Sequence, residues 1–505
     1  MTEMLTDRYE ERLAGVLSCY DRIMITGTLP GACYAAGMTS FLNAKDIRIF
    51  DYARFAEPLR ERIREGAQVL AVEQGVQIQH ISQTRVRKED VVAAVIKERG
   101  DHPGLVHIIS AMEACDAYEP WHDKRTHQTF LRHTSGKCLH YYFYFIDERL
   151  GLTFLRVPTW CPFRLQFYCN GHSWLARSLT AAGIDYAMAD NAFIRIDDWE
   201  RAQQLADGFS PGSLHAILDR YAQLCCPVLD VFGQTYHWSL MQVEYSTDLV
   251  FRSEEIIQPL YEELSRQALF SVKAEQVATF LGKKITPQLA QEIGSRFTTR
   301  IEGTCIKHRL GKVSIKMYDK FNRVLRLETT TNDVSFFKHY RKVEHRDHHE
   351  THEIAPLKKT IYSLIDLREI LLGCNRRYLE YLSALDDFSA GDRNLHRLTS
   401  PKTVGGHTLK GFNFFDSTQQ TLLRALQRAE FNIRGICRAD LTRFLPHLSV
   451  SSITRYLWRL RTFGLIKKVA HSYRYYLTRL GRSTVAAACR ITAQTIVPAL
   501  AGAAV

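Results

Sequence analysis

The sequence predicts a multidomain α+β fold: an N-terminal α/β layer, central antiparallel sheets with helices, and a C-terminal winged helix-turn-helix. Three observations predict it. Short apolar strands alternate with amphipathic helices over residues 1–115. Long aromatic strands run through 137–175. Three helices and a basic hairpin follow one another over 417–486. At 505 residues the chain is long enough for several cores. We divide it into an α/β domain (1–135), a mixed sheet and helical domain (136–340) with a basic sheet at 301–340, a linker and helix (341–415), a winged helix (416–486) and an Ala-rich tail (487–505).

Composition narrows the function classes. A 46% hydrophobic and 24% charged chain is that of an ordinary soluble globular protein, and a net charge of +12 favours polyanionic partners. Twelve scattered cysteines with no CxxC pair argue against zinc ribbons and secreted disulfide scaffolds, and for the cytoplasm. Met1–Leu13 lacks an apolar signal core, and Arg490 interrupts the apolar end Thr484–Val505, so no membrane partner is expected. Neither GxGxxG nor GxxxxGK[ST] occurs, which removes the common nucleotide-binding fingerprints.

The elements follow in order. Arg22–Thr28 and Ile47–Phe50 read as strands; a helix over Glu57–Gln74 precedes the strand Val76–Ile81, and a helix over Glu89–Glu98 precedes Leu105–Ile109. Leu139–Ile146, Leu152–Val157 and Cys161–Tyr168 form an antiparallel meander, with Asn170-Gly171 as a turn signal. Residues 172–300 read as mainly helical: Ser173–Ala182, Trp199–Ala206, Pro211–Cys225, Ser253–Gln267, Lys273–Leu281 and Leu289–Phe297. The His-rich stretch 341–358 reads as a linker, and Lys359–Leu385 as a helix.

Thr304–Arg309, Val313–Lys320 and Val324–Thr329 make a basic three-stranded unit. Val313, Ile315 and Met317 alternate with Ser314, Lys316 and Tyr318, so one face packs while the other presents cations and a phenol. Lys307, Arg309, Lys316, Lys320 and Arg326 are the expected nucleic-acid contacts of this sheet, with Tyr318 as a stacking ring. Lys316-Met317-Tyr318-Asp319-Lys320 with Leu325-Arg326-Leu327-Glu328 resembles the strand pair of phage and plasmid replication initiators. That resemblance implies an origin-binding sheet, or Tyr318 as a strand-joining nucleophile. No His-apolar-His triplet of the kind expected in a rolling-circle nuclease occurs.

In the C-terminal segment Leu422, Leu423 and Leu426 stripe a first helix, Arg438–Leu445 forms a second, and Val450–Phe463 a third that ends at Gly464. Ile453, Leu457 and Leu460 share the buried face of the third helix, capped by Ser449. Ser451, Ser452, Arg455, Tyr456 and Arg459 face outward as DNA contacts, joined by Lys467, Lys468, His471 and Arg474 of the hairpin. No acidic residue occurs from Leu441 to Val505. Leu460–Lys468, leading into the hairpin, resembles the winged-helix domains of multiple-antibiotic-resistance-type regulators. Gly27-Thr28-Leu29-Pro30, His102-Pro103-Gly104-Leu105, Val157–Phe163 and Val313–Thr330 resemble a bacterial family of uncharacterised proteins of about this length, which implies shared architecture.

The chemistry candidates are separate. His345, His348, His349 and His352 have i,i+4 spacings used by metal sites, but a loop is the simpler reading and no metal site is assigned. Asp147, Asp190, Asp319 and Glu328 sit at strand ends or turns where metal ligands occur. Cys161 and His172 form a nucleophile–base pair on paper only. The function expected is DNA binding, duplex first and RNA second, by a mobile-element or plasmid replication-type protein or a transcription regulator, with a homodimer as a further expectation. No cofactor is expected. One alternative is a metal-dependent nuclease or recombinase using Asp319, Glu328 and Tyr318 with a divalent metal, which leaves enzymatic activity open. The other is a ligand-sensing transcription regulator.

Overall fold

The structure, a computed structural model, describes residues 3–83, 85–283, 297–345, 347–386, 389–470 and 472–502. The expected helix Leu289–Phe297 therefore lies outside the described residues except for Phe297, which begins a strand. The chain divides into two compact units, Met1–Asp386 and Asp387–Val505.

The first unit is built on one eleven-stranded sheet. Its strands in chain order are β1 (Leu13–Thr28), β2 (Ile78–His80), β3 (Gly104–Asp123), β4 (Gln128–Asp147), β5 (Gly151–Pro158) and β6 (Leu165–Asn170). After a separate small hairpin, β7 (Tyr186–Ala189) and β8 (Ala192–Ile196), follow β9 (His237–Phe251), β10 (Phe297–Glu302), β11 (Cys305–Leu310), β12 (Val313–Lys320) and β13 (Val324–Thr331). The spatial order is β10-β11-β12-β13-β9-β1-β6-β5-β4-β3-β2, antiparallel throughout except for the pair β2–β3. A boundary at residue 135 is thus corrected, since β4 runs straight through it and pairs with strands on both sides.

Period-two patterning explains the two faces. In β4, Tyr141, Phe143 and Phe145 enter the main core, while Tyr142, Tyr144 and Ile146 enter a smaller cluster on the opposite face. The main core lies under the helices Tyr52–Glu73, Pro211–Cys225, Glu254–Ser271 and Leu364–Asp386. On the second face, Gly171–Ala181, Trp199–Asp207 and the β7–β8 hairpin close over Leu17 and Cys19 of β1. Ile49–Asp51 is a short 3-10 turn, where a strand was expected. Asn170-Gly171 starts a helix instead of turning a hairpin: Asn170 caps Gly171–Ala181 by accepting from the N–H groups of His172 and Ser173. The linker expected at 341–358 is also corrected, for Lys338–Glu344 and Glu350–Pro356 pair as a hairpin.

The second unit contains helices Ser389–Thr399, Ser417–Leu426, Ala429–Arg434, Arg438–Phe444 and Val450–Thr462. The short hairpin Ile466–Lys468/Tyr475–Leu477 follows, then a continuous helix from Arg479 to Ala501. Ile436 adds a third backbone pairing to Tyr475 of the hairpin. Gly464, at φ 76°, ends the helix Val450–Thr462 in the left-handed region, where a side chain would be strained. The helix Arg479–Ala501 is long and apolar enough to cross a membrane by length and composition only, and Arg479, Arg482 and Arg490 lie along it.

Candidate functional site

A polar network crosses the second face of the sheet in the first unit. It begins at an irregularity in β1: Tyr20 pairs with Tyr245 and Ile23 with Val243, leaving Asp21 and Arg22 together opposite Glu244. Tyr20 and Ile23 both stay in the main core, and Asp21 turns to the other face. Asp21 there accepts from the side-chain amides of Asn170 (2.8 Å) and Asn191 (3.0 Å). Gly171 is required beside this bulge, because a Cβ would stand 2.1 Å from the Tyr20 carbonyl oxygen.

Arg326 of β13 stands opposite Asp248 of β9 and is fully buried. Its Nε and Nη2 donate to the two Asp248 oxygens at 2.7 and 2.6 Å, and Nη2 also donates to the Asn191 carbonyl at 2.8 Å. Nη1 reaches Asp21 at 3.4 Å. Nη2 also lies 2.9 Å from His172 Nε2, and His172 Nδ1 lies 3.2 Å from Asp21, whose carboxylate with that of Asp248 raises the imidazole against the effect of burial. Burial opposes ionisation of Asp248, but the Arg326 charge holds its carboxyl below the usual range; for Asp21, His172 and Arg326 likewise outweigh burial.

Beside this core lies a less buried group. Lys316 Nζ is 2.5 Å from Glu328 Oε1 and 3.6 Å from Glu244, and the Tyr318 hydroxyl donates to Glu328 Oε2 at 2.7 Å. Asp21, Glu244 and Glu328 each offer an oxygen within 4.8 Å of the others. Burial and the neighbouring Glu328 raise the Glu244 carboxyl, and burial with the same Glu328 keeps the Tyr318 phenol protonated.

The expected sheet contacts fall differently from the expectation of an open cationic face. Arg326 has no exposed surface; Lys316 is held by Glu328 and Glu244, and Lys320 by Asp190 at 3.7 Å. Lys307 pairs with Glu302 at 3.3 Å, and the exposed Arg309 donates to the Gly311 carbonyl. This corrects the reading of Lys316, Lys320 and Arg326 as backbone-binding cations. Alternation puts them on one face, but that face carries carboxylates from β9 and β13 and is roofed by residues 171–196. Tyr318 and Glu328 are brought together; Asp319, the next residue along β12, faces the other way, with burial and Glu254 raising its carboxyl. Asp147 pairs with Arg220 and Asp190 with Lys320, so neither joins Glu328. Cys161 and His172 lie apart: Cys161 packs in the main core near Met38, while His172 belongs to the Arg326 network. His345 and His349 stack at 4.2 Å beside the turn of the 338–356 hairpin. Among the described residues the only three-ligand group is Asp21, Glu244 and Glu328. Asp21 and Glu244 escaped the sequence reading, although the alternation of Trp238, Leu240, Val243, Tyr245 and Leu249 marks β9 as a strand.

In the second unit, Ile453, Leu457 and Leu460 of the helix Val450–Thr462 are buried with Leu422, Leu426, Leu441 and Leu445. The Ser449 hydroxyl caps the helix by accepting from the Ser452 N–H. Ser451 and Arg455 are exposed, and Ser452 and Tyr456 are half-buried. Arg459 is turned inward: it donates to the Gly411 carbonyl and to Gln419 Oε1, and lies 4.2 Å over the Phe412 ring. Arg459 as an outward contact is therefore corrected; the long arginine reaches back over its own apolar neighbours. Lys467 and Lys468 are exposed on the hairpin, and Arg474 donates to the Arg434 carbonyl at 2.6 Å. His471 lies outside the described residues. Compared with family models, curated proteins and solved structures, the chain matches none.

Proposed function

We propose that this is a DNA-binding protein whose second unit is a winged-helix reader, serving a mobile-element or plasmid replication role or transcription regulation in the cytoplasm. The observation that carries the reading is the split of the helix Val450–Thr462. It anchors through Ile453, Leu457 and Leu460 while Ser451 and Arg455 are exposed on the surface, next to a hairpin presenting Lys467 and Lys468. The stretch Leu441–Val505 supplies ten Lys and Arg and no Asp or Glu, so no carboxylate of that stretch repels a phosphate backbone. Tyr473, 86% exposed beside Lys468, adds a ring at the hairpin end. The test is fluorescence anisotropy of a labelled duplex with the full chain and the triple variant R455A/K467A/K468A. Weaker binding by the variant is expected, and equal affinity rejects the reading.

A second reading concerns the first unit: metal-dependent strand cleavage. It is favoured by the convergence of Asp21, Glu244 and Glu328, with the Tyr318 hydroxyl already hydrogen-bonded to Glu328. The carboxylates would hold a divalent cation, and Glu328 would take the phenol proton as the Tyr318 oxygen bonds to phosphorus and one P–O bond of the strand breaks, its oxygen leaving as the free strand end. Incubating supercoiled plasmid with the protein and Mg²⁺ or Mn²⁺ tests it. Nicking lost in E328Q and Y318F but kept in D319A supports this assignment; no nicking by the wild type with either ion removes it.

A further inference from the structure

We infer that the second unit pairs with a second copy of this chain through a groove that its last helix borders and extends. The groove, of about 700 Å³, lies between the helix Ser389–Thr399 and the helix that starts at Arg479. Leu395, Leu398, Phe412, Phe415, Ala487 and Ile491 line it, and among the described residues no charged side chain does. That chemistry suits an apolar partner and leaves a polyanion nothing to bind.

The last helix sets what fills it. Its first half is packed into the unit through Val485, Ala488 and Cys489, and Gln420 donates to Thr492 at 2.7 Å. From Ile491 to Ala501 no side chain is charged, yet none of these residues is buried. A π-helical turn at Thr492–Ile496 interrupts the α-helical spacing. Each π turn takes one residue more than an α turn, so Ile496 and Leu500 continue the side on which Ile491 meets the groove. The apolar strip therefore runs on past the groove mouth.

A self-complementary pair accounts for both features. A two-fold contact needs the ridge and the groove on one surface, and this surface has both. Leu395, Phe415, Ile491, Val497 and Leu500 are each 50–71% exposed. At roughly 100 Å² apiece they leave about 500 Å² bare, the upper end of what a monomer carries, and two copies together cover about 1,000 Å², the threshold of a specific interface. A small ligand in the groove leaves Val497 and Leu500 uncovered. A membrane is disfavoured because the first half of the helix is fixed in the unit's core and carries Arg479, Arg482 and Arg490.

Size-exclusion chromatography with light scattering on the full chain tests the pairing. The wild type is expected at twice 58.1 kDa at micromolar concentration, and I491D and L500D at the monomer mass with unchanged circular dichroism. Leu500 lies outside the unit's core, so L500D decides if I491D fails to fold. A monomeric wild type, or dimers that survive L500D, overturn the proposal. Flotation of the wild type with vesicles of phosphatidylcholine and phosphatidylglycerol, lost in L500D, overturns it in favour of a lipid surface.

Discussion

Arg326 shows how little a strand's alternation says about what lies over it. It is fully buried, and its charge is matched by Asp248 in a two-pronged contact and by Asp21. Replacing it leaves two carboxylates buried without their cation, so R326M is expected to cost about 3–5 kcal/mol in urea unfolding of the first unit. A loss below about 1 kcal/mol contradicts that role. Asp21 and Asp248 also set an acid limit. Both carboxyls titrate lower in the folded protein than in the unfolded chain. The stability they add is therefore complete above the unfolded carboxyl range, about 4, and is lost as pH falls towards their folded values. The urea midpoint should hold between neutral pH and about pH 5, then fall steeply below pH 4, and a midpoint independent of pH down to 3 contradicts the network. Spacing alone makes Arg326 a surface cation because its roof, residues 171–196, comes from a distant part of the chain. Residue spacing reports a face and is silent on its cover.

At the scale of elements, the strongly periodic segments were legible and the dependent ones were not. Pro211–Cys225 carries its own signals: Pro in the first turn after a Ser cap, then Leu214, Leu218, Tyr221 and Ala222 on one face. The alternation in β4 was likewise visible. The β1 bulge was not, because a bulge exists only relative to the partner strand, and without it Asp21 cannot be placed beside Glu328. The 338–356 hairpin was missed because its strands are polar on both faces and Tyr340 and Ile354 remain 69% and 70% exposed. The helix Val450–Thr462 divides its arginines between two tasks. Arg459 holds Gly411 and Gln419, so R459A should lower the melting stability of the second unit by about 1–2 kcal/mol. R455A, on an exposed position, should leave stability within about 0.5 kcal/mol and weaken DNA binding instead. The reverse pattern in calorimetry and anisotropy would refute this division.

The whole molecule divides into a large sheet-based unit and a smaller unit whose stretch Leu441–Val505 is cationic. The two-unit division at residues 386 and 387 escaped the sequence because one sheet collects strands from residue 13 to residue 331, across two predicted segments. Long-range antiparallel pairing of this kind leaves no compositional break at 135 or 340. The positive charge of the tail, by contrast, was fully visible, since it is a property of residue types. The salt dependence of duplex binding tests the central claim most directly. For the full chain the logarithm of the association constant should fall steeply with the logarithm of salt concentration, and R455A/K467A/K468A should flatten that slope by about 0.9 per lost phosphate contact, or 2 to 3 in all. Identical slopes for wild type and variant would contradict the account.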